Sequence, residues 1–151
     1  MTKLEKVLYT AKAHTTGGRA NGTSRTSDGQ LEVKLIPPGV PGKGTNPEQL
    51  FAVGWSACFL SAIKNVAHAK KIKLPDDVAI DIEVDLGLSN GLHGLAARFN
   101  VILPGLDTEV AREVAEAAHH TCPYSLATRG NIEVATNVLT SQPNPVEMAH
   151  Q

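Results

Sequence analysis

Two thiols carry most of the chemistry open to this chain, because Cys58 and Cys122 are the only cysteines in its 151 residues. Either one could be a plain core residue, free cysteine being among the most buried of side chains. A nucleophilic role for Cys58 asks for more. It sits near the middle of the most hydrophobic stretch, and apolar burial raises a thiol's pKa, so a working thiolate there needs a cation or a hydrogen-bond donor beside it. Arg19 is the candidate cation. It follows Gly17 and Gly18, whose backbone freedom lets a turn aim a side chain inward, although an arginine in a turn is as readily a solvated one. Glu48 could orient that guanidinium through a two-point carboxylate pair, and it equally suits the first turn of a helix, where the dipole favours an acid.

Spacing sets a condition on this group. Glu48 and Cys58 are ten residues apart, about 15 Å along one straight helix, which is too far for a shared site. Either the helix breaks near Gly54 or the two groups meet across a dimer, and the dimer is the preferred reading. Cys122 reads either as a helix-end core residue or as a partner for Cys58, since both face inward from two long helices. A disulfide between them needs α-carbons roughly 4.4 to 6.8 Å apart, which spacing alone does not establish. His119 and His120 precede Cys122, but His-His-x-Cys matches no standard zinc pattern and lacks a second ligand pair, so they read as surface or helix-end histidines. His14, His68, His93 and His150 are scattered, and no G-x-S-x-G, Walker loop or dinucleotide fingerprint occurs.

The elements that must position these residues follow from patterning. A weak alternation from Val7 to Ala13, a polar glycine-rich stretch to Gly29 and a second alternation through Leu31, Val33 and Leu35 predict an antiparallel meander. Proline and glycine from Pro37 onward exclude regular structure until Asn46, which caps a helix with Pro47 in its first turn. That helix is apolar on nearly all sides from Leu50 to Ile63, which predicts burial of most of its circumference. Val78, Ile80, Ile82, Val84 and Leu86 alternate with acids as a half-buried strand, Asn90-Gly91 reverses the chain, and Leu95 to Leu103 returns. Asp107 or Thr108 caps a second helix whose row Val110, Val114, Ala118 continues to Cys122; Pro123 breaks it, a short turn runs to Arg129-Gly130, and Ile132 to Leu139 is the last strand. The order β-β-β-α-β-β-α-β is that of an α+β domain with antiparallel sheet, residues 1–140, followed by a loose tail, 141–151. A helix apolar all round is hard to cover within one small chain, so a homodimer with that helix in its interface is expected.

Bulk properties narrow the class. Hydrophobic residues make up 42% and charged ones 19%, the balance of one globular domain that needs neither metal nor disulfides merely to fold. A net charge of -1, with basic residues spread along the chain, argues against a nucleic-acid partner. The first ten residues lack the apolar core of a secretion signal, and the apolar window is shorter than the roughly 20 residues of a membrane span, so a soluble, cytoplasmic protein is expected. There a pair of cysteines is catalytic, redox-active or metal-binding, or simply buried.

The strings GGRANGTSRTSDGQL (Gly17 to Leu31), GTNPEQLFAVGWSACF (Gly44 to Phe59) and CPYSLATRGNIEV (Cys122 to Val134) together resemble the organic hydroperoxide resistance proteins, the Ohr branch of the Ohr/OsmC family. The resemblance covers nearly the whole chain in order. It departs at Trp55-Ser56, where Tyr-Ala is more usual, and in the tail after Ser141. It implies an OsmC-like fold, antiparallel sheets packed on two long helices in an intertwined homodimer with two active sites at its interface. It also implies that Cys58 is the peroxidatic cysteine, Cys122 the resolving one, and Arg19 and Glu48 the polar pair around the thiolate. The family acts on organic and fatty-acid hydroperoxides without a bound cofactor, and is recycled by lipoylated proteins or dihydrolipoamide. An apolar wall of Leu50, Phe51, Trp55 and Phe59 would then favour greasy peroxides. Two other classes are a non-catalytic dimer that holds a small apolar ligand between its helices, and a zinc module built on Cys122 and the neighbouring histidines.

Overall fold

The computed structural model describes residues 3–144, so the tail expected at 141–151 lies largely outside the described residues. The chain forms two compact units, Met1–Leu50 and Phe51–Gln151.

The first unit carries a three-stranded antiparallel sheet, β1 (Ala13–Thr16), β2 (Thr23–Thr26) and β3 (Glu32–Lys34), in the order β1-β2-β3, with a single helical turn α1 (Gly18–Asn21) between the first two. Its central strand arises from the polar stretch: threonine suits a pleated surface, and the Thr15 and Ser24 hydroxyls bond across it at 2.7 Å. The alternation from Val7 does not make a strand before Ala13, which pairs with Thr26. Beyond Thr26 the opposite chain turns at Asp28, whose carboxylate accepts from Thr26 Oγ1 at 2.6 Å and Gln30 N at 3.1 Å, so the pairing closes with Ser27 N donating to the Lys12 carbonyl at 3.0 Å. Near the end of the unit, Asn46 Oδ1 accepts from Gln49 N at 2.9 Å and starts helix α2 (Pro47–Ala69) as expected.

In the second unit α2 runs on without a break at Gly54. Only one stripe of it is buried, Trp55, Phe59, Ala62, Ile63 and Ala67, the spacing of a single helix face, while Val53 is 68% exposed. Burial around most of its circumference is therefore not met within one chain. At 23 residues α2 is also longer than the apolar window suggested, and its length and composition alone would suit a membrane span. Trp55, Phe59 and Ile63 are instead fully buried in the core, with Phe99, Val101 and Val114.

Strands β4 (Ala79–Ser89) and β5 (Leu92–Ile102) form an antiparallel hairpin, with Ser89 paired to Leu92 across an Asn90-Gly91 turn whose φ angles are 51° and 78°. Helix α3 (Thr108–His119) begins at Asp107, whose Oδ1 accepts from Glu109 N at 3.0 Å and Val110 N at 3.2 Å. It buries Ala111, Val114, Ala115 and Ala118. The helices are thus unequal, 23 and 12 residues, rather than two long ones. After Cys122 comes a short helix, α4 (Pro123–Thr128), where a turn was expected; Pro123 ends one helix and, at the first helical position, starts the next. Strand β6 (Glu133–Leu139) then joins β5 in parallel, giving the order β4-β5-β6 and correcting the expectation of a wholly antiparallel sheet. A parallel neighbour needs a crossover, and α3 with α4 supplies it.

Candidate active site

Helix α2 presents Cys58 beside the buried stripe, next to Phe59, so its thiol is half-buried and packs against the core. Cys122 comes to the same place by another route. It lies one helical step beyond Ala118, its N–H still bonds to the Ala118 carbonyl at 2.8 Å, and its side chain is fully buried. The two thiols lie close enough to influence each other's ionisation, and neither is in a disulfide. The Tyr124 backbone N–H, one of the first donors of α4 and free of an intrahelical partner, is near enough to favour the Cys58 thiolate. Burial pushes the Cys58 thiol up from 9.0, and the neighbouring Cys122 pushes it further; the Tyr124 N–H pulls it back.

An open groove of about 410 Å³ lies against Cys58, walled by Ala62, Val66, Ala69 and Pro123, with Asn65 and Thr121 as polar points. This differs from the wall expected at Trp55 and Phe59, because those two rings point into the core, where each meets Phe99 edge-on at 4.9 and 5.1 Å. Phe51 is half-buried and packs at 6.1 Å from the Tyr124 ring. Gly54 lies under Tyr124, and a Cβ there would come within 3.0 Å of the Tyr124 hydroxyl. Its smallness therefore serves contact with α4 rather than a helix break.

The other two expected residues meet in the first unit. Arg19 stands in α1 behind Gly17, whose φ of 71° and 2.9 Å clearance from Gly22 Cα suit glycine alone. Its Nη2 donates to Glu48 Oε1 in an ion pair. The pairing is single rather than two-point. Glu48 is the more enclosed partner, 14% exposed against 48% for Arg19, and it stands in the first turn of α2, as the helix-dipole reading expected.

Patterning missed Tyr124 and a polar chain that is buried at its Trp55–Ser125 end. Trp55 Nε1 donates to Ser125 Oγ at 3.1 Å, Ser125 Oγ lies 3.0 Å from His119 Nδ1, and His119 Nε2 lies 2.9 Å from Thr136 Oγ1. His119 is a helix-end residue, as expected, but its ring is half-buried, stacked on Phe59 at 4.2 Å, and burial pushes its pKa below 6.5. The available signal was Pro123, which marks the start of a helix as much as the end of one. Among the described residues no three histidine, cysteine or acidic side chains gather as a metal site.

An α+β chain with paired thiols on adjoining helices defines a thiol-bearing class of protein. Comparison with known proteins narrows it. Residues 40–137 match the OsmC-like protein family. The chain is 48% identical over 138 residues, 89% of its length and 96% of the relative's, to the organic hydroperoxide resistance protein of Xanthomonas axonopodis pv. citri. The crystal structure of an organic hydroperoxide resistance protein from Legionella pneumophila superposes with a TM-score of 0.83 at 42% identity, covering 89% of this chain and 100% of that one. For OhrB of Bacillus subtilis the TM-score is 0.79 at 37% identity, covering 87% and 99%. The chain belongs to the OsmC-like family, in its organic hydroperoxide resistance branch.

Proposed function

We propose that the protein is a cysteine-based peroxidase that reduces organic hydroperoxides, fatty-acid hydroperoxides included, to alcohols in the response to oxidative stress. The observation that carries this reading is the nearness of the free Cys58 and Cys122 thiols beside an apolar groove. The names of the relatives support it.

In this mechanism the Cys58 thiolate attacks one oxygen of the hydroperoxide. The O–O bond breaks, Cys58 becomes a sulfenic acid, and the other oxygen leaves with a proton as the alcohol. Cys122 then attacks the sulfenic sulfur; an S–S bond replaces the S–O bond and water leaves. An external dithiol, dihydrolipoamide or a lipoylated protein, reduces the disulfide and restores both thiols.

Each group has a physical task. Tyr124 N–H stabilises the thiolate, and Cys122 holds the resting thiol neutral. Because burial acts against ionisation, a cation is required, and Arg19 is assigned that role, held by Glu48. Its donors would also stabilise charge developing on the leaving oxygen. We assign the protein to homodimers that cover the exposed side of α2 and bring Arg19 and Glu48 to the thiolate of a partner subunit, and to the reducing cytoplasm, where both cysteines start as thiols. Stopped-flow oxidation by cumene hydroperoxide, compared with hydrogen peroxide, tests the reading. The organic peroxide should react faster, with dihydrolipoamide sustaining turnover; a preference for hydrogen peroxide would refute the substrate class.

A further inference from the structure

A second tie joins the segments that carry the two thiols. Trp55 stands three residues before Cys58, Ser125 three after Cys122, and the Trp55 indole N–H donates to Ser125 Oγ at 3.1 Å. Both are buried, Trp55 wholly and Ser125 at 5% exposure. An indole N–H donates only, so Ser125 accepts there, and in the tautomer with Nδ1 unprotonated its hydroxyl proton goes to His119 Nδ1. The single proton of the neutral ring is then on Nε2 and is given to Thr136. This assignment uses each group once. The chain runs from Trp55 through Ser125 and His119 to Thr136 and ties together α2, α4, α3 and β6. The His119 ring is held on two sides, stacked on Phe59 and edge-on to Phe99 at 5.5 Å.

We propose that Ser125 and His119 are positioning residues for the thiol pair: their hydrogen-bond chain holds the segment bearing Cys122 where its sulfur can bond to that of Cys58. The inference rests on the redox reading of the two cysteines. Disulfide closure is geometrically strict, with α-carbons about 4.4 to 6.8 Å apart and a dihedral near ±90°. Cys122 has extended backbone, φ -69° and ψ 121°, at the junction of α3 and α4, so the anchoring of α4 decides where its sulfur lies. Ser125 and Trp55 provide that anchor one helical turn from the thiols.

The test needs no peroxide. Full-length protein is equilibrated in glutathione buffers, in which the two thiols give two electrons and two protons as one oxidised glutathione becomes two reduced ones. The Cys58–Cys122 disulfide is counted by alkylation and mass spectrometry. Ser125→Ala, Trp55→Phe and His119→Phe, the last keeping the ring stack without an acceptor, should each shift the equilibrium about tenfold or more toward the dithiol, the scale of one lost buried hydrogen bond. Ser125→Thr and His119→Asn retain a hydroxyl and an acceptor and should stay below that shift. Val101→Ala, a core deletion away from the chain, controls for general loosening and should leave the equilibrium in place. Smaller shifts in the first three variants, or an equal shift in Val101→Ala, would overturn the inference. A wild type that closes this disulfide in glutathione yet resists organic hydroperoxides counts against the peroxidase reading alone.

Discussion

The Cys58 thiol neighbours both the Cys122 thiol and the Tyr124 N–H at the start of α4. These contacts act in opposite directions: the first favours the neutral thiol, and the second favours the thiolate. Within the chain burial and Cys122 win, and the Cys58 pKa lies above 9.0. The resting pair is therefore protected, and ionisation depends on added positive charge.

Replacing Cys122 separates the two chemical steps. Cys122→Ser should still undergo one oxidation at Cys58 and then stall as sulfenic or sulfinic acid, whereas Cys58→Ser should not turn over at all. Mass spectrometry after a single addition of cumene hydroperoxide reads both outcomes.

Removing the cation should slow the first step alone. Arg19→Ala is expected to lower the second-order rate with an organic hydroperoxide on the order of a hundredfold, the usual cost of losing one stabilising donor. Stopped-flow measurement of that rate provides the check, and an unchanged value removes Arg19 from the mechanism.

The proposed homodimer would cover the side of α2 where Val53 is 68% exposed. Light scattering should give twice the 16.0 kDa mass of the chain. A monomeric mass refutes the dimer.

Acid should weaken the fold through His119. Burial holds its folded pKa below the ordinary 6.5; Glu116 opposes this, while Arg129 and His120 add to it, and the facing Phe59, Phe99, Ser125 and Thr136 are uncharged. As pH falls below 6.5 the unfolded chain takes up a proton that folded His119 refuses, so this contribution is complete above 6.5 and is lost as pH drops toward the folded value. Urea unfolding at pH 7 and about pH 5.5 should show lower stability in acid, and His119→Asn should flatten the difference.

Much of the scaffold was legible because its signals are local. Asp107 caps α3 through its own carboxylate, Asn90-Gly91 turns because both residues accept positive φ, and Ile80, Ile82 and Val84 alternate with acids. The meeting of Cys58 and Cys122 was anticipated as possible from two inward helix faces. Other features depend on distant partners. The direction of β6 is set by where α3 and α4 deliver the chain, not by residues 133–139. Trp55 and Ser125 are 70 positions apart, so no spacing rule could pair them, and Trp55 had stood out as a departure from the family and as a pocket wall. Phe59 was read as a pocket wall because an apolar helix does not announce which side the core takes.

The central claim is that a hydroperoxide converts two neighbouring thiols of one chain into a disulfide through Cys58. Thiol titration of the reduced wild type before and after one equivalent of cumene hydroperoxide tests it most directly. The account predicts the loss of both thiols per chain, their full recovery with dihydrolipoamide, and a Cys58–Cys122 peptide in the oxidised digest. Two thiols still titratable after peroxide would contradict it.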